Sequence, residues 1–67
     1  MVFNIRYRDE QGVLMRILNA VSRRGLDFNY VHAEGGLVAV ATPATAKQKA
    51  QLLRDWKAVV GVEQVFE

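Results

Sequence analysis

The sequence predicts an α+β domain, on three observations. Its opening residues alternate apolar and polar side chains. Two later stretches repeat apolar residues near every 3.6 positions. Glycine and proline punctuate the segments between them. Alternation marks a half-buried strand and the longer period an amphipathic helix.

The first strand is expected over Val2 to Arg8, with Phe3, Ile5 and Tyr7 on its inner face. A polar loop, Asp9-Glu10-Gln11-Gly12, follows. The first helix then carries Val13, Leu14, Ile17, Leu18 and Val21 in one stripe, with Arg16, Asn19, Ser22 and Arg23 off it. Asp9 or Gln11 is expected to cap it, because the first N–H groups of a helix have no intrahelical partner. The helix should end at Arg24, with Gly25 in the position just past the end and two arginines facing the negative end of the dipole.

Leu26 to Glu34 reads as the second strand, with Phe28 and Tyr30 on one face and Val31 and Ala33 on the other. Gly35-Gly36 is a tight-turn signal. Leu37 to Thr42 is apolar on both faces, as in a central strand. Pro43 stops it, since proline cannot donate to a ladder. Thr45 caps a second helix over Ala46 to Lys57, with Ala50, Leu53, Trp56 and the stem of Lys57 along one side and Leu52 and Val59 flanking. Val60-Gly61 turns the chain into a fourth strand, Val62 to Phe66.

The order β-α-β-β-α-β folds as a ferredoxin-like split βαβ unit: a four-stranded antiparallel sheet with two helices on one face. Strands one and three are central, strands two and four are edges. Strand two carries no proline and charges only at Asp27 and Glu34, so its open edge invites a second chain.

Sixty-seven residues make one small domain spanning residues 1–67, marginal by itself. Small domains gain stability from disulfides, metals or oligomerisation. The chain has no cysteine and one histidine, His32, which excludes disulfides, thiolate metal sites and a histidine cluster, so a homodimer is expected. No apolar run approaches the roughly 20 residues of a membrane span. No basic-then-apolar leader is visible, and a cytoplasmic location is expected. The net charge of +2, spread over scattered arginines, gives no dedicated nucleic-acid patch. Trp56 belongs in the core or against a partner, because of its area. Tyr30 and Met15 share that ambiguity.

A strand, a glycine loop and a helix in succession present free N–H groups and the positive end of a helix dipole, which suits a carboxylate or phosphate. Gly12 also reads simply as the residue that makes the turn. Asp27, just past a helix end, reads as a turn residue, and Asn29 as either an interface or a solvent residue. His32 reads as a surface or dimer-contact side chain.

The run Asp9-Glu10-Gln11-Gly12-Val13-Leu14, then Ile17, Leu18, Val21 and Ser22-Arg23-Arg24-Gly25-Leu26-Asp27-Phe28, resembles the opening half of an ACT domain. It is most similar to the small regulatory subunits of acetolactate synthase. The resemblance covers about half the chain by motif and all of it by element order. It implies a non-catalytic domain without a cofactor or metal that binds a small amino acid at a dimer interface, docks on a biosynthetic enzyme, or does both. It implies a ligand site at Asp9, Gln11, Gly12, Val13, Leu14, Asp27 and Asn29. The ligand's carboxylate would meet the N–H groups of Gly12, Val13 and Leu14, and its ammonium the start of strand two from the other chain. The dimer contact would run through Phe28, Tyr30, Val31 and His32. The partner it implies is an acetolactate synthase catalytic subunit of branched-chain amino-acid synthesis. The chain departs from the family's pattern at Asp27, where asparagine is frequent, and at Gln11, where proline is usual.

An alternative is a hydrolase. Gln11-Gly12-Val13 with Arg16 resembles the phosphate loop of acylphosphatases, which share this fold. The arginine expected before glutamine-glycine-valine is replaced by Asp9-Glu10, and strand three lacks the asparagine that positions water. An RNA-recognition domain would place aromatics on strand three, which has none. A heavy-metal carrier of this fold would need paired cysteines.

Overall fold

Phe3, Ile5 and Tyr7 are buried while Val2 and Arg6 are exposed, so the alternation at the start of the chain does form a one-sided strand. The computed structural model describes residues 1–67. Its elements are β1 (Val2–Tyr7), α1 (Val13–Arg23), β2 (Tyr30–Glu34), β3 (Leu37–Ala41), α2 (Ala46–Lys57) and β4 (Val62–Phe66). The strands form one antiparallel sheet in the order β2-β3-β1-β4, with both helices on one face. The architecture is the expected ferredoxin-like one, with β1 and β3 central.

The core is a single cluster of 11 buried hydrophobic residues drawn from both central strands and both helices. Phe3 and Ile5 of β1 stand opposite Val40 and Val38 of β3. Val13, Ile17, Ala20 and Val21 cover them from α1, and Leu52 and Trp56 from α2. Trp56 meets Phe3 edge to face, with ring centroids 5.0 Å apart, a favoured aromatic arrangement. The second helix thus turns Leu52 and Trp56 inward, with Leu53 half-buried and Ala50 exposed. The expected line through Ala50 is corrected by about one residue's rotation: burying Leu52 removes far more apolar area from water than burying Ala50. Thr45 caps α2 as expected, accepting from the Gln48 N–H at 3.2 Å while the Gln48 side chain accepts from the Thr45 N–H at 2.9 Å.

The second strand begins at Tyr30, four residues later than the alternation suggests. The reason lies in how α1 ends. Gly25 donates to the Ser22 carbonyl at 2.9 Å, and Leu26 donates to the Val21 carbonyl at 3.3 Å. This pair of bonds is a Schellman closure. Leu26 turns back against the core, and its N–H is taken by the helix rather than by a ladder. The Asp27 carbonyl then accepts from the buried Thr42 hydroxyl at 2.7 Å. Phe28 therefore precedes the strand instead of lying on its face. All five residues of β2 are exposed, as befits an uncovered edge.

Candidate functional site

The loop after β1 is fixed by two main-chain bonds: Tyr7 donates to the Gly36 carbonyl at 2.9 Å and Arg8 to the Gly61 carbonyl at 2.8 Å. These bring the β2–β3 turn and the turn before β4 to the mouth of α1. Glu10 donates to the Arg8 carbonyl at 2.8 Å and Val13 to the Glu10 carbonyl at 3.3 Å.

Gly12 is itself the N-cap, at φ 87° and ψ −14°, and no side chain caps the helix. The expectation that Asp9 or Gln11 caps α1 is corrected. The left-handed turn puts a residue without a side chain at the capping position, and Asp9 and Gln11 are left exposed. The N–H groups of Gly12, Leu14 and Met15 consequently meet no acceptor within the chain. Val13 contributes no such donor. Its N–H is engaged by Glu10, and its side chain, 4% exposed, packs on Gly61. Of the expected trio, Gly12 and Leu14 keep free donors, and Met15 takes the third place. Amide donors carry no side-chain signature, so only the helix start, placed one residue beyond the glycine, reveals it.

The first turn of α1 holds no acidic residue. Arg16 follows it, and its Nη2 lies 4.0 Å from where a β-carbon on Gly12 would sit. A guanidinium therefore adds to the positive end of the helix dipole, an arrangement that favours a bound anion. Tyr7, 5% exposed, ends the strand before the loop; burial pushes its phenol above the ordinary range, and the charge of Asp9 adds to that.

Asp27 and Asn29 lie at the other end of the sheet. Ala41 pairs with both Val2 and Tyr30, so the start of β2 sits level with the start of β1. Gly12 follows the far end of β1, about 20 Å away along a strand of this length. The sequence-expected residues thus divide into two groups within one chain: Asp9, Gln11, Gly12, Val13 and Leu14 at one end, Asp27 and Asn29 at the other. Of the expected contact residues, Phe28, Tyr30 and Val31 are exposed large hydrophobics at or near the free edge. His32 stacks on Tyr30 at 6.5 Å and lies 3.3 Å from the Glu34 carboxylate.

A second feature is a cleft of about 620 Å³ between α1 and the end of α2. Arg24 binds Asp55 there through two bonds, Nε to Oδ2 at 2.9 Å and Nη2 to Oδ1 at 3.0 Å. That hydrogen bonding raises the affinity of the Arg24 guanidinium for its proton.

No group of three or more His, Cys, Asp or Glu side chains is placed to hold a metal ion. No helix is long and apolar enough to cross a membrane. No protein-family model matches the chain, and no curated protein matches it.

Proposed function

We propose that this ferredoxin-like domain is a non-catalytic regulatory module of the ACT type, which binds a small amino acid where two copies meet. The observation that carries the reading is the set of free N–H groups on Gly12, Leu14 and Met15, with the Arg16 guanidinium close to Gly12. That set suits a carboxylate, and the ammonium is to be met from a second copy. A two-fold pairing of β2 edges runs the strands antiparallel. It carries the partner copy's equivalent of Asp27 to the end where this chain's Gly12 lies. Asp27 and Asn29 then supply the acceptors an ammonium needs. Both copies then contribute to the site, and an amino acid bound there is linked to the arrangement of the dimer. A ligand shifts that arrangement by its difference in affinity between the two states. By the resemblance of the helix and its flanks, the regulated partner is the catalytic subunit of an amino-acid biosynthetic enzyme, acetolactate synthase in the first instance.

The test is a thermal-shift screen against the twenty amino acids. A ligand that binds only the folded dimer raises the melting temperature by mass action. Valine, leucine or isoleucine should do so, and the shift should disappear in Gly12→Val and in Asp27→Lys. Absence of any shift across the set refutes the ligand-binding part of the proposal.

The closeness of the Arg16 guanidinium to Gly12 also favours the second reading, a small acyl-phosphate hydrolase. Turnover of an acyl phosphate, abolished by Arg16→Ala, would replace the regulatory reading. Asp9 and Glu10 beside the same loop oppose a phosphate dianion.

A further inference from the structure

The cleft between α1 and the end of α2 is lined by Arg16, Asn19, Arg23 and Arg24 on one side and by Asp55 on the other, with Ala20 and Ala58 among its walls. Arg16, Asn19 and Arg23 are spaced by three and four residues, so they share one face of α1. Arg24 is committed to Asp55. Arg16 and Arg23 have no carboxylate partner. Three guanidiniums face one carboxylate, which leaves two positive charges in a concavity.

Unpaired cations brought into one concavity repel each other. Arg23 is offset by the C-terminal dipole of α1, but Arg16 stands near the positive end, where the dipole opposes it. The small side chains of Ala20 and Ala58 leave room between the helices. The volume falls within the range of about 300–1,000 Å³ usual for small-molecule sites. The cleft offers no aromatic face for a nucleobase to stack on. Seven residues of helix set the Arg16 and Arg23 backbones about 10 Å apart, with the Asn19 amide between them. Planar guanidiniums grip carboxylates and phosphates through paired hydrogen bonds.

We propose that this cleft is a second binding site, for a small molecule carrying two oxyanion groups, one held near Arg16 and the other near Arg23. The Arg24–Asp55 pair fixes the wall against which the second group rests. The site is separate from the Gly12 loop, though Arg16 borders both.

The experiment is a titration of the full chain, followed by amide NMR at constant ionic strength, with pyrophosphate, succinate and orthophosphate as probes. Pyrophosphate or succinate should saturate at millimolar concentration or below, and bind at least tenfold more tightly than orthophosphate. The shifts should centre on Asn19, Arg23 and Ala58. Preference for pyrophosphate assigns a phosphoryl ligand, and preference for succinate a dicarboxylate. Arg23→Gln should weaken the better probe at least tenfold, while Arg54→Gln, on the exposed side of α2, should leave it unchanged. Failure to saturate by 10 mM, shifts spread over all the basic residues, or equal losses in the two variants would overturn the proposal. Arg23 is remote from the loop, so Arg23→Gln leaves amino-acid binding at Gly12 intact and tells the two sites apart.

Discussion

The indole Nε1 of Trp56 donates to the main-chain carbonyl of Ile17 at 2.9 Å, joining the second helix to the middle of the first from inside the core. Both residues are fully buried. The bond satisfies the one polar atom of a side chain whose area the core of so small a domain needs. Trp56→Ala should cost about 3–5 kcal/mol. A loss of that size leaves a domain of this length largely unfolded. Trp56→Phe keeps most of the ring volume but removes the donor, and should cost about 1–2 kcal/mol. Urea denaturation by circular dichroism measures both. In the unmutated chain the lone tryptophan should report the same transition by fluorescence. A Trp56→Phe variant as damaged as Trp56→Ala would show that shape, not the shared hydrogen bond, dominates.

Gly61 and Val13 form the second joint. Gly61 has φ 104°, and a β-carbon there would come within 2.9 Å of Val13 Cγ2. Gly61→Ala thus meets both backbone strain and overlap with a buried side chain, and should cost about 2–4 kcal/mol. Val13→Ala in the same background should recover part of that, because it removes the clashing methyls. The double-mutant cycle should give a coupling of at least about 0.5 kcal/mol in the rescuing direction. Strict additivity would place the whole penalty in the backbone.

Alkaline pH should weaken the fold through Tyr7. Its phenol is pushed above the ordinary value of 10.0 by burial, with Asp9 contributing. In the unfolded chain the same phenol ionises near 10.0. Between that pH and the raised folded value the folded state holds one more proton than the unfolded state. Stability is therefore fully present below about pH 10 and falls as pH rises toward the folded pKa. Denaturant midpoints at pH 8, 10 and 11 should decline for the unmutated chain, and decline less for Tyr7→Phe. Equal slopes would place the alkaline sensitivity outside Tyr7.

The periodic elements were legible because their patterns are local. Phe3-Ile5-Tyr7 announces β1, and Thr45 announces the start of α2. Legibility failed where a non-local bond decided. Leu26 to Asn29 alternates well enough for a strand, but the closure of α1 onto Val21 claims the Leu26 amide first. Ala50 and Leu52 both lie near the apolar arc of α2, and the choice between them depends on how α2 seats on the core. Free amides at the mouth of α1 were readable from Gly12 and its place before a helix. That Val13 loses its donor to Glu10, and that the Arg16 guanidinium comes close to Gly12, depend on backbone geometry no periodicity encodes. The pairing of Arg24 with Asp55, 31 residues apart, is of the same kind, and so was the cleft it walls.

The edge of β2 permits a test of association that spares the fold. Tyr7 donates to Gly36, so the even-numbered residues of β3 bond to β1 and the odd-numbered ones to β2. In register, Leu37, Ala39 and Ala41 face Glu34, His32 and Tyr30. The amides of Val31 and Ala33 must then point off the sheet, toward a second copy. Ala33→Pro deletes one outward donor and leaves the β2–β3 ladder whole, which is where edge strands tolerate proline. The unmutated chain should sediment at twice its 7.5 kDa mass and melt at a temperature that rises with concentration. Ala33→Pro should shift it to monomer, weakening association at least tenfold and abolishing any amino-acid-induced thermal shift. The open face of the sheet, where Val2, Tyr30, Leu37 and Phe66 stay exposed, is the competing surface. Were Phe66→Lys to dissociate the dimer while Ala33→Pro did not, the copies would meet face to face. Asp27 of one copy would then have no route to the Gly12 loop of the other, and the amino-acid site proposed for the seam would fail with it.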